Sequence, residues 1–137
     1  MADFFERNIF DIVINCAAYT GVDKAELEPE LANQINNLAV QQLANLTKRY
    51  KVKLIHISTD YVFSGELDRP YLETDEVAPL GVYGRTKLQG EQAIQKTLKN
   101  SAIIIRTGWI YSEYGNNFVK TMLNLACETK SLNVIFD

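Results

Sequence analysis

The chain has 137 residues and a formal net charge of −3, and hydrophobic residues make up 47% of it. This length suits one domain, and the apolar fraction is ordinary for a packed globular core. The acidic balance excludes neither an enzyme nor a binding module, but it gives no indication of a nucleic-acid partner. No apolar run is long enough to cross a bilayer, and the first residues lack the features of a signal peptide, so we expect a cytoplasmic protein.

The cysteines and the single histidine form no metal-binding pattern. Cys16 and Cys127 are far apart in the sequence, which favours two reduced thiols. His56 lies inside an apolar strand pattern and is expected to be a core or wall residue. We therefore predict no metal site.

Strand and helix patterns alternate along the first half of the chain. Residues 12–15 are an apolar run that predicts a buried strand, and the small residues after it predict a tight turn. Residues 23–50 have a helical pattern in which Pro29 fits a helix start. Residues 53–59 predict a second strand. The apolar residues of the helical region recur near a period of 3.6: Leu31, Ile35, Leu38, Leu43 and Leu46.

The alternation continues in the second half. Residues 60–80 are rich in loop signals, and residues 83–98 predict a helix. A third strand is predicted at residues 102–106 and a third helix at 117–129. A fourth strand would start at residues 132–136.

This order predicts an α/β fold with a parallel sheet. The strands are continuous apolar runs, so we expect helices on both faces of the sheet. Ligands of such sheets bind beyond the carboxyl ends of the strands. We therefore expect residues 16–21, 58–63 and 107–111 to line one edge, with the helix from residue 83 between two of these loops.

Tyr83 and Lys87 are four residues apart, which puts both side chains on one helix face. A free tyrosine has a pKa of about 10, and a cation nearby in a poorly solvated cleft favours the phenolate. We therefore predict that Lys87 lowers the pKa of Tyr83 and makes it a proton donor. The same spacing is common by chance on solvated helices. The prediction of a proton donor therefore depends also on the polar residues that end the predicted strands before and after this helix.

Four segments together resemble the dTDP-4-dehydrorhamnose reductase family of extended short-chain dehydrogenase/reductases. The segments are residues 15–26 (NCAAYTGVDKAE), 58–65 (STDYVFSG), 83–91 (YGRTKLQGE) and 106–111 (RTGWIY). They occur in the family's order and spacing, and the resemblance runs through nearly the whole chain. It implies reduction of the 4-keto group of dTDP-4-dehydro-L-rhamnose with NADPH or NADH, giving dTDP-L-rhamnose.

The resemblance also implies roles for individual residues. Tyr83 would be the general acid that protonates the C4 oxygen, Lys87 would lower its pKa and bind the nicotinamide ribose, and Thr59 would hold the carbonyl oxygen. The cofactor-binding residues would be Ala17, Ala18, Thr20, Tyr83 and Lys87. The substrate-binding residues would be Val22, Thr59, Asp60, Tyr83 and Trp109.

Each role has a structural alternative. Thr59 could cap the turn after its strand, Asp60 could be a loop acid or an N-cap, and Trp109 could be ordinary core. A solvated helix face is predicted for three charged residues: Lys24, Glu26 and Glu28.

The chain departs from the family where the cofactor's pyrophosphate would bind. Its seven glycines form no G-x-G-x-x-G series. We therefore expect residues 1–137 to be the central and C-terminal part of an NAD(P)-binding Rossmann-like domain. This would be a partial doubly wound parallel sheet, without the N-terminal βαβ units and the C-terminal substrate domain.

Such a piece is expected to be inactive alone and to expose residues 12–14 as an open sheet edge, through which it forms a homodimer or aggregates. A nucleotide sugar is the expected substrate. Two alternatives stay open: another nucleotide-sugar reductase, epimerase or dehydratase of the same superfamily, and a non-catalytic regulatory subunit derived from it.

Overall fold

The computed structural model describes residues 1–129 and residue 131. The chain divides into two compact units, Met1–Thr107 and Gly108–Asp137. The fourth strand predicted at residues 132–136 lies outside the described residues.

The first unit contains a sheet of three parallel strands in the order β1-β2-β3. The strands are β1 (Ile12–Asn15), β2 (Lys53–Thr59) and β3 (Ala102–Thr107). Each lies within a residue of its predicted position, and the predicted parallel α/β fold is confirmed.

Helices precede and connect the strands. Helix α1 (Ala2–Arg7) was not predicted and buries Phe5 against the core. The helices that connect β1 to β2 are α2 (Val22–Leu27), α3 (Pro29–Asn33), a π-helical segment (Gln34–Leu38) and α4 (Ala39–Tyr50). The connection from β2 to β3 contains a 3₁₀ turn (Asp60–Val62), helix α5 (Val82–Leu98) and a second 3₁₀ turn (Lys99–Ser101).

In this unit the helices cover one face of the sheet, which corrects the prediction of cover on both faces. The three parallel strands lie across the sheet in the same order as in the sequence. Two right-handed crossovers in the same direction therefore place both connections on the same face. The core lies there, where α4 and α5 pack on Leu54 of β2. The opposite face exposes four isoleucines: Ile12 (48%), Ile14 (61%), Ile103 (57%) and Ile105 (45%).

The buried side of the helical region before β2 also differs from the prediction. Leu31 and Leu38 are 43% and 44% exposed, whereas Asn36 is 1% exposed. The cause is the close approach of α5, because a side chain at Gly90 would clash with the Asn36 carbonyl oxygen. Close backbone contact leaves room for small and polar residues rather than leucines. Pro29 takes the first position of α3, as predicted.

Strand β1 lies at one edge of the sheet, so the predicted open edge is confirmed for the first unit. Pairing of that edge with a second chain stays a prediction. Among the described residues, no helix combines the length and the apolar character needed to span a membrane.

The second unit contains helix α6 (Phe118–Glu128), close to its predicted position. The side chain of Asn117 caps it by accepting a hydrogen bond from the Lys120 amide (3.1 Å). Trp109 has a φ of 51° and packs edge-on against Phe118, with 4.8 Å between ring centroids. It is 75% exposed, so the core alternative for Trp109 is wrong.

Candidate active site

Thr59 is the last residue of β2 and is 4% exposed. Its hydroxyl donates to Asp60 Oδ1 (3.1 Å) and accepts from the Tyr61 amide (3.2 Å). Thr59 therefore caps the 3₁₀ turn, which is the structural alternative considered for it. The cap also fixes the hydroxyl at the carboxyl end of the central strand, where ligands of parallel sheets bind.

Tyr83 is held beside Thr59 by the close packing of α5 on this turn. A side chain at Gly84 would clash with the Tyr61 carbonyl oxygen, so glycine lets the helix start directly against the turn. The Tyr83 ring packs edge-on against the Tyr61 ring, with 5.6 Å between centroids. Thr59 caps this same turn, and its side chain is among the groups that act on the pKa of Tyr83. The structure thus brings together two of the three predicted catalytic residues.

The pKa of Tyr83 is raised from its ordinary value, so its predicted lowering is wrong for this structure. Burial of the phenol is the largest cause, and the charge of Asp60 and the neighbouring Tyr61 also raise the pKa. Hydrogen bonding to Thr59 lowers it in part. Tyr83 is therefore fully protonated at neutral pH.

Lys87 lies one turn further along α5 and is 2% exposed. Its ammonium donates to the Ile57 carbonyl oxygen (2.7 Å) on β2, so the side chain reaches the strand rather than the phenol. Burial lowers the pKa of Lys87, and the charge of Glu91 opposes that effect.

A buried ion pair near the carboxyl ends of β2 and β3 was not predicted from the sequence. Glu91, which is 0% exposed, accepts from Arg106 Nη2 (2.7 Å) and Nε (3.1 Å) and from the Ser58 hydroxyl. The Arg106 guanidinium also stacks over the Phe63 ring at 4.9 Å. One signal in the sequence could have drawn attention to Glu91. It follows Lys87 by four residues, the same spacing that separates Lys87 from Tyr83, so all three lie on one helix face.

Hydrogen bonds of the Asn36 side chain connect the loop after β1 to α5. This side chain accepts from the Tyr19 amide (2.9 Å) and donates to the Tyr19 carbonyl (3.1 Å) and the Thr86 hydroxyl (3.2 Å). The loop therefore has a fixed position beside the catalytic helix. Its predicted cofactor-binding residues have short side chains that are exposed or half-buried: Ala17, Ala18 and Thr20.

Two glutamates predicted to lie on a solvated helix face also make hydrogen bonds that connect elements of this part of the fold. Glu26 Oε1 accepts from the Val82 amide (2.6 Å) at the start of α5. Glu28 accepts from the Tyr19 hydroxyl (2.7 Å), which raises the pKa of Tyr19 to about 12. Lys24 and Glu26 are exposed as predicted and Glu28 is half-buried, but the hydrogen bonds of the two glutamates were not predicted.

The predicted substrate-binding residues are placed in different parts of the chain. Val22 is the half-buried first residue of α2, and Asp60 is exposed next to Thr59. Trp109 belongs to the second unit. The first unit thus contains every other predicted site residue.

A parallel α/β sheet with polar side chains at the carboxyl end of its central strand is a partial Rossmann-like fold. The family model described as "RmlD substrate binding domain" matches residues 1–137, so the chain belongs to that family.

Individual relatives agree with this assignment. The dTDP-4-dehydrorhamnose reductase of Escherichia coli (strain K12) is 53% identical over 127 residues, which are 93% of this chain and 42% of the relative. The crystal structure of a dTDP-4-dehydrorhamnose reductase from Clostridium acetobutylicum matches 96% of this chain and 46% of its own, with 44% identity and a TM-score of 0.91. The Bacillus anthracis enzyme, solved in complex with NADP, matches 93% of this chain and 45% of its own, with 42% identity and a TM-score of 0.89. The chain thus spans less than half the length of each.

Proposed function

We propose that this chain supplies the proton-donating part of a dTDP-4-dehydrorhamnose reductase. The observation that carries the proposal is the close packing of the Tyr83 end of α5 on the turn that Thr59 caps at the end of the central strand, with Lys87 buried one helical turn away. The reaction reduces the 4-keto group of dTDP-4-dehydro-L-rhamnose to a hydroxyl. Bound NADPH or NADH would supply the hydride, and this chain would supply the proton.

Thr59 and Tyr83 divide the handling of the ketone oxygen. Thr59 has one hydroxyl proton, which it now donates to Asp60, and donation to the ketone oxygen would replace that bond. The oxygen gains negative charge as hydride reaches C4, so a positioned donor stabilises the transition state more than the ground state. The Tyr83 O–H bond would then break, the proton would join the oxygen, and a phenolate would remain one helical turn from the Lys87 ammonium.

The residues around the site fit a nicotinamide cofactor. The loop carrying Ala17, Ala18 and Thr20 is fixed to α5 and offers short side chains, which leave room for a flat ring system. Lys87 uses one of its three N–H donors on Ile57, so others remain for a ribose hydroxyl.

We assign residues 1–137 to the central and C-terminal part of an NAD(P)-binding domain. Val22, Asp60 and Trp109 are assigned to the sugar nucleotide. A cytoplasmic location and a homodimer belong to the same proposal, and the isolated chain is proposed to pair through its exposed edge strand β1.

A chimera tests the function. The 127-residue segment of the Escherichia coli relative that matches this chain is replaced by this chain's residues, and NADPH oxidation is followed with dTDP-4-dehydro-L-rhamnose. We expect turnover, and we expect Tyr83→Phe to reduce kcat by about 10²- to 10⁴-fold, as for loss of a general acid. Tyr61→Phe is the matched control, because that ring packs on Tyr83 and influences its pKa but its hydroxyl has no assigned part in the proton transfer.

Unchanged turnover in the Tyr83→Phe chimera would end the general-acid assignment. Product analysis checks the reaction type, since an epimerase or dehydratase would release a different sugar nucleotide. The chain by itself contains no glycine-rich phosphate turn, so calorimetry is expected to show no tight NADPH binding. Tight binding would show that these residues hold the cofactor without such a turn.

A further inference from the structure

Helix α5 carries three ionisable groups along one stripe, each four residues from the next: Tyr83, Lys87 and Glu91. Lys87 is 2% exposed and Glu91 is 0% exposed. A buried charge is costly unless it is paired and hydrogen-bonded, so both groups need compensation from their surroundings.

The two charges are compensated differently. Glu91 accepts three hydrogen bonds from Arg106 and one from Ser58. Lys87 has a neutral partner, the Ile57 carbonyl oxygen, and within residues 1–129 no carboxylate lies within salt-bridge distance of it. The Lys87 ammonium therefore depends on charges that act over a longer distance.

We propose that Glu91 is a positioning residue for the acid site: Arg106 and Ser58 fix its carboxylate, and its charge keeps the neighbouring Lys87 protonated. The inference rests on the proposed function, because it explains how Lys87 stays an ammonium one helical turn from the phenol. The same contacts tie α5 to the ends of β2 and β3. Ser58 directly precedes Thr59, so this tie also fixes the strand end that carries the hydroxyl.

The other ionisable groups around Lys87 cannot take this role. His56, on β2, is neutral at pH 7, because burial and the charge of Lys87 lower its pKa to about 4. From β3, Arg106 is itself a cation. Asp60 lies on the exposed turn, and Tyr83 on α5 is a neutral phenol at pH 7. The charge that raises the pKa of Lys87 is that of Glu91.

The test is the titration of Lys87 in the 137-residue chain and two variants. The lysine side chains are ¹³C-labelled, and the Lys87 signal is assigned by its loss in Lys87→Met. A unit charge one helical turn away, about 6 Å, and acting through an effective dielectric of about 20 changes a pKa by about 2 units. We therefore expect Glu91→Gln to lower the pKa of Lys87 by about 1 to 2 units.

Arg106→Gln is the matched variant. It breaks the same buried ion pair, but it removes a cation, so the pKa of Lys87 is expected to rise or stay unchanged. A purely structural role for the ion pair would move the titration in the same direction in both variants. That result, or an unchanged Lys87 pKa in a folded Glu91→Gln chain, would overturn the inference.

If Glu91→Gln does not fold, the double variant Glu91→Gln/Arg106→Gln replaces it, because that chain retains no unpaired charge at this position. Its Lys87 pKa must lie below that of Arg106→Gln, and equal values would overturn the inference. The titration needs neither cofactor nor substrate. An inactive chimera would therefore reject the proposed function alone, whereas an active chimera with an unresponsive Lys87 would reject this inference alone.

Discussion

His56 makes the stability of this chain depend on pH in a defined window. The ring is 0% exposed, and its Nδ1 is 3.0 Å from the Asn15 side-chain amide. Its Nε2 is buried with no hydrogen-bond partner among residues 1–129 and 131. Burial and the charge of Lys87 lower the pKa of His56 from 6.5 to about 4, because a second proton would place an unpaired charge in the core.

The sign and size of the effect follow from this lowered pKa. Between pH 6.5 and 4 the unfolded chain binds a proton that the folded chain does not, so the free energy of unfolding falls as the pH falls through that window. The stabilisation is fully present above pH 6.5. Each pH unit is worth about 1.4 kcal/mol, so the contribution of His56 lost by pH 4 is about 3 kcal/mol.

Two measurements check the prediction. His56 is the chain's one histidine, so its ring protons give an unambiguous NMR titration, expected to have its midpoint near pH 4. Urea unfolding between pH 4.5 and 7.5 should show a steeper loss of stability in the parent than in His56→Gln. Lys87→Met is expected to raise the pKa of His56 only partly, because burial remains. A midpoint near 6.5, or equal slopes in parent and His56→Gln, would refute the reasoning.

Three further predictions concern other parts of the first unit. Gly84→Ala should destabilise the fold by about 1–3 kcal/mol, because the methyl group would overlap the carbonyl of the adjoining 3₁₀ turn. Urea unfolding measures this loss. Gly21→Ala, whose added methyl group would have its nearest contact at 3.3 Å, should lower the free energy of unfolding by less. The phenol of Tyr19 should titrate at about pH 12 by ultraviolet absorbance, and Glu28→Gln should return it towards 10. Ile14→Lys, at an edge position that is 61% exposed, should reduce self-association in light scattering, and unchanged scattering would reject pairing through β1.

Much of the fold could be predicted from local patterns. The apolar runs of β2 and β3 and the helical period of α5 are short-range signals, and the structure confirms them. The buried face of the helices before β2 depends instead on α5 approaching at Gly90. That contact joins residues more than fifty positions apart, so a helical period alone selected Leu31 and Leu38 where the structure buries Asn36.

The site was predictable as a set of residues but not as an electrostatic arrangement. Thr59 and Tyr83 meet because each ends or begins an element at the same edge of the sheet. The direction of the Tyr83 pKa depends on which groups its ring touches, and the Lys87 ammonium turns to a strand carbonyl instead. The four-residue spacing places Glu91 on the same helix face as Lys87, but it does not identify Arg106, on a different element, as the partner of Glu91.

The raised pKa of Tyr83 favours retention of its proton, and buried charges follow it along the same face of α5. A phenol that ionised readily without substrate would lose its proton to water, whereas a buried phenol keeps it until a neighbouring oxygen becomes basic. Under the proposed function, the phenolate left after transfer would be stabilised by the charge of Lys87 one helical turn away, which requires Lys87 to stay protonated. In the proposed reaction, the stripe from Tyr83 to Glu91 therefore works as one unit: the acid, the charge that accepts its conjugate base, and the carboxylate that maintains that charge.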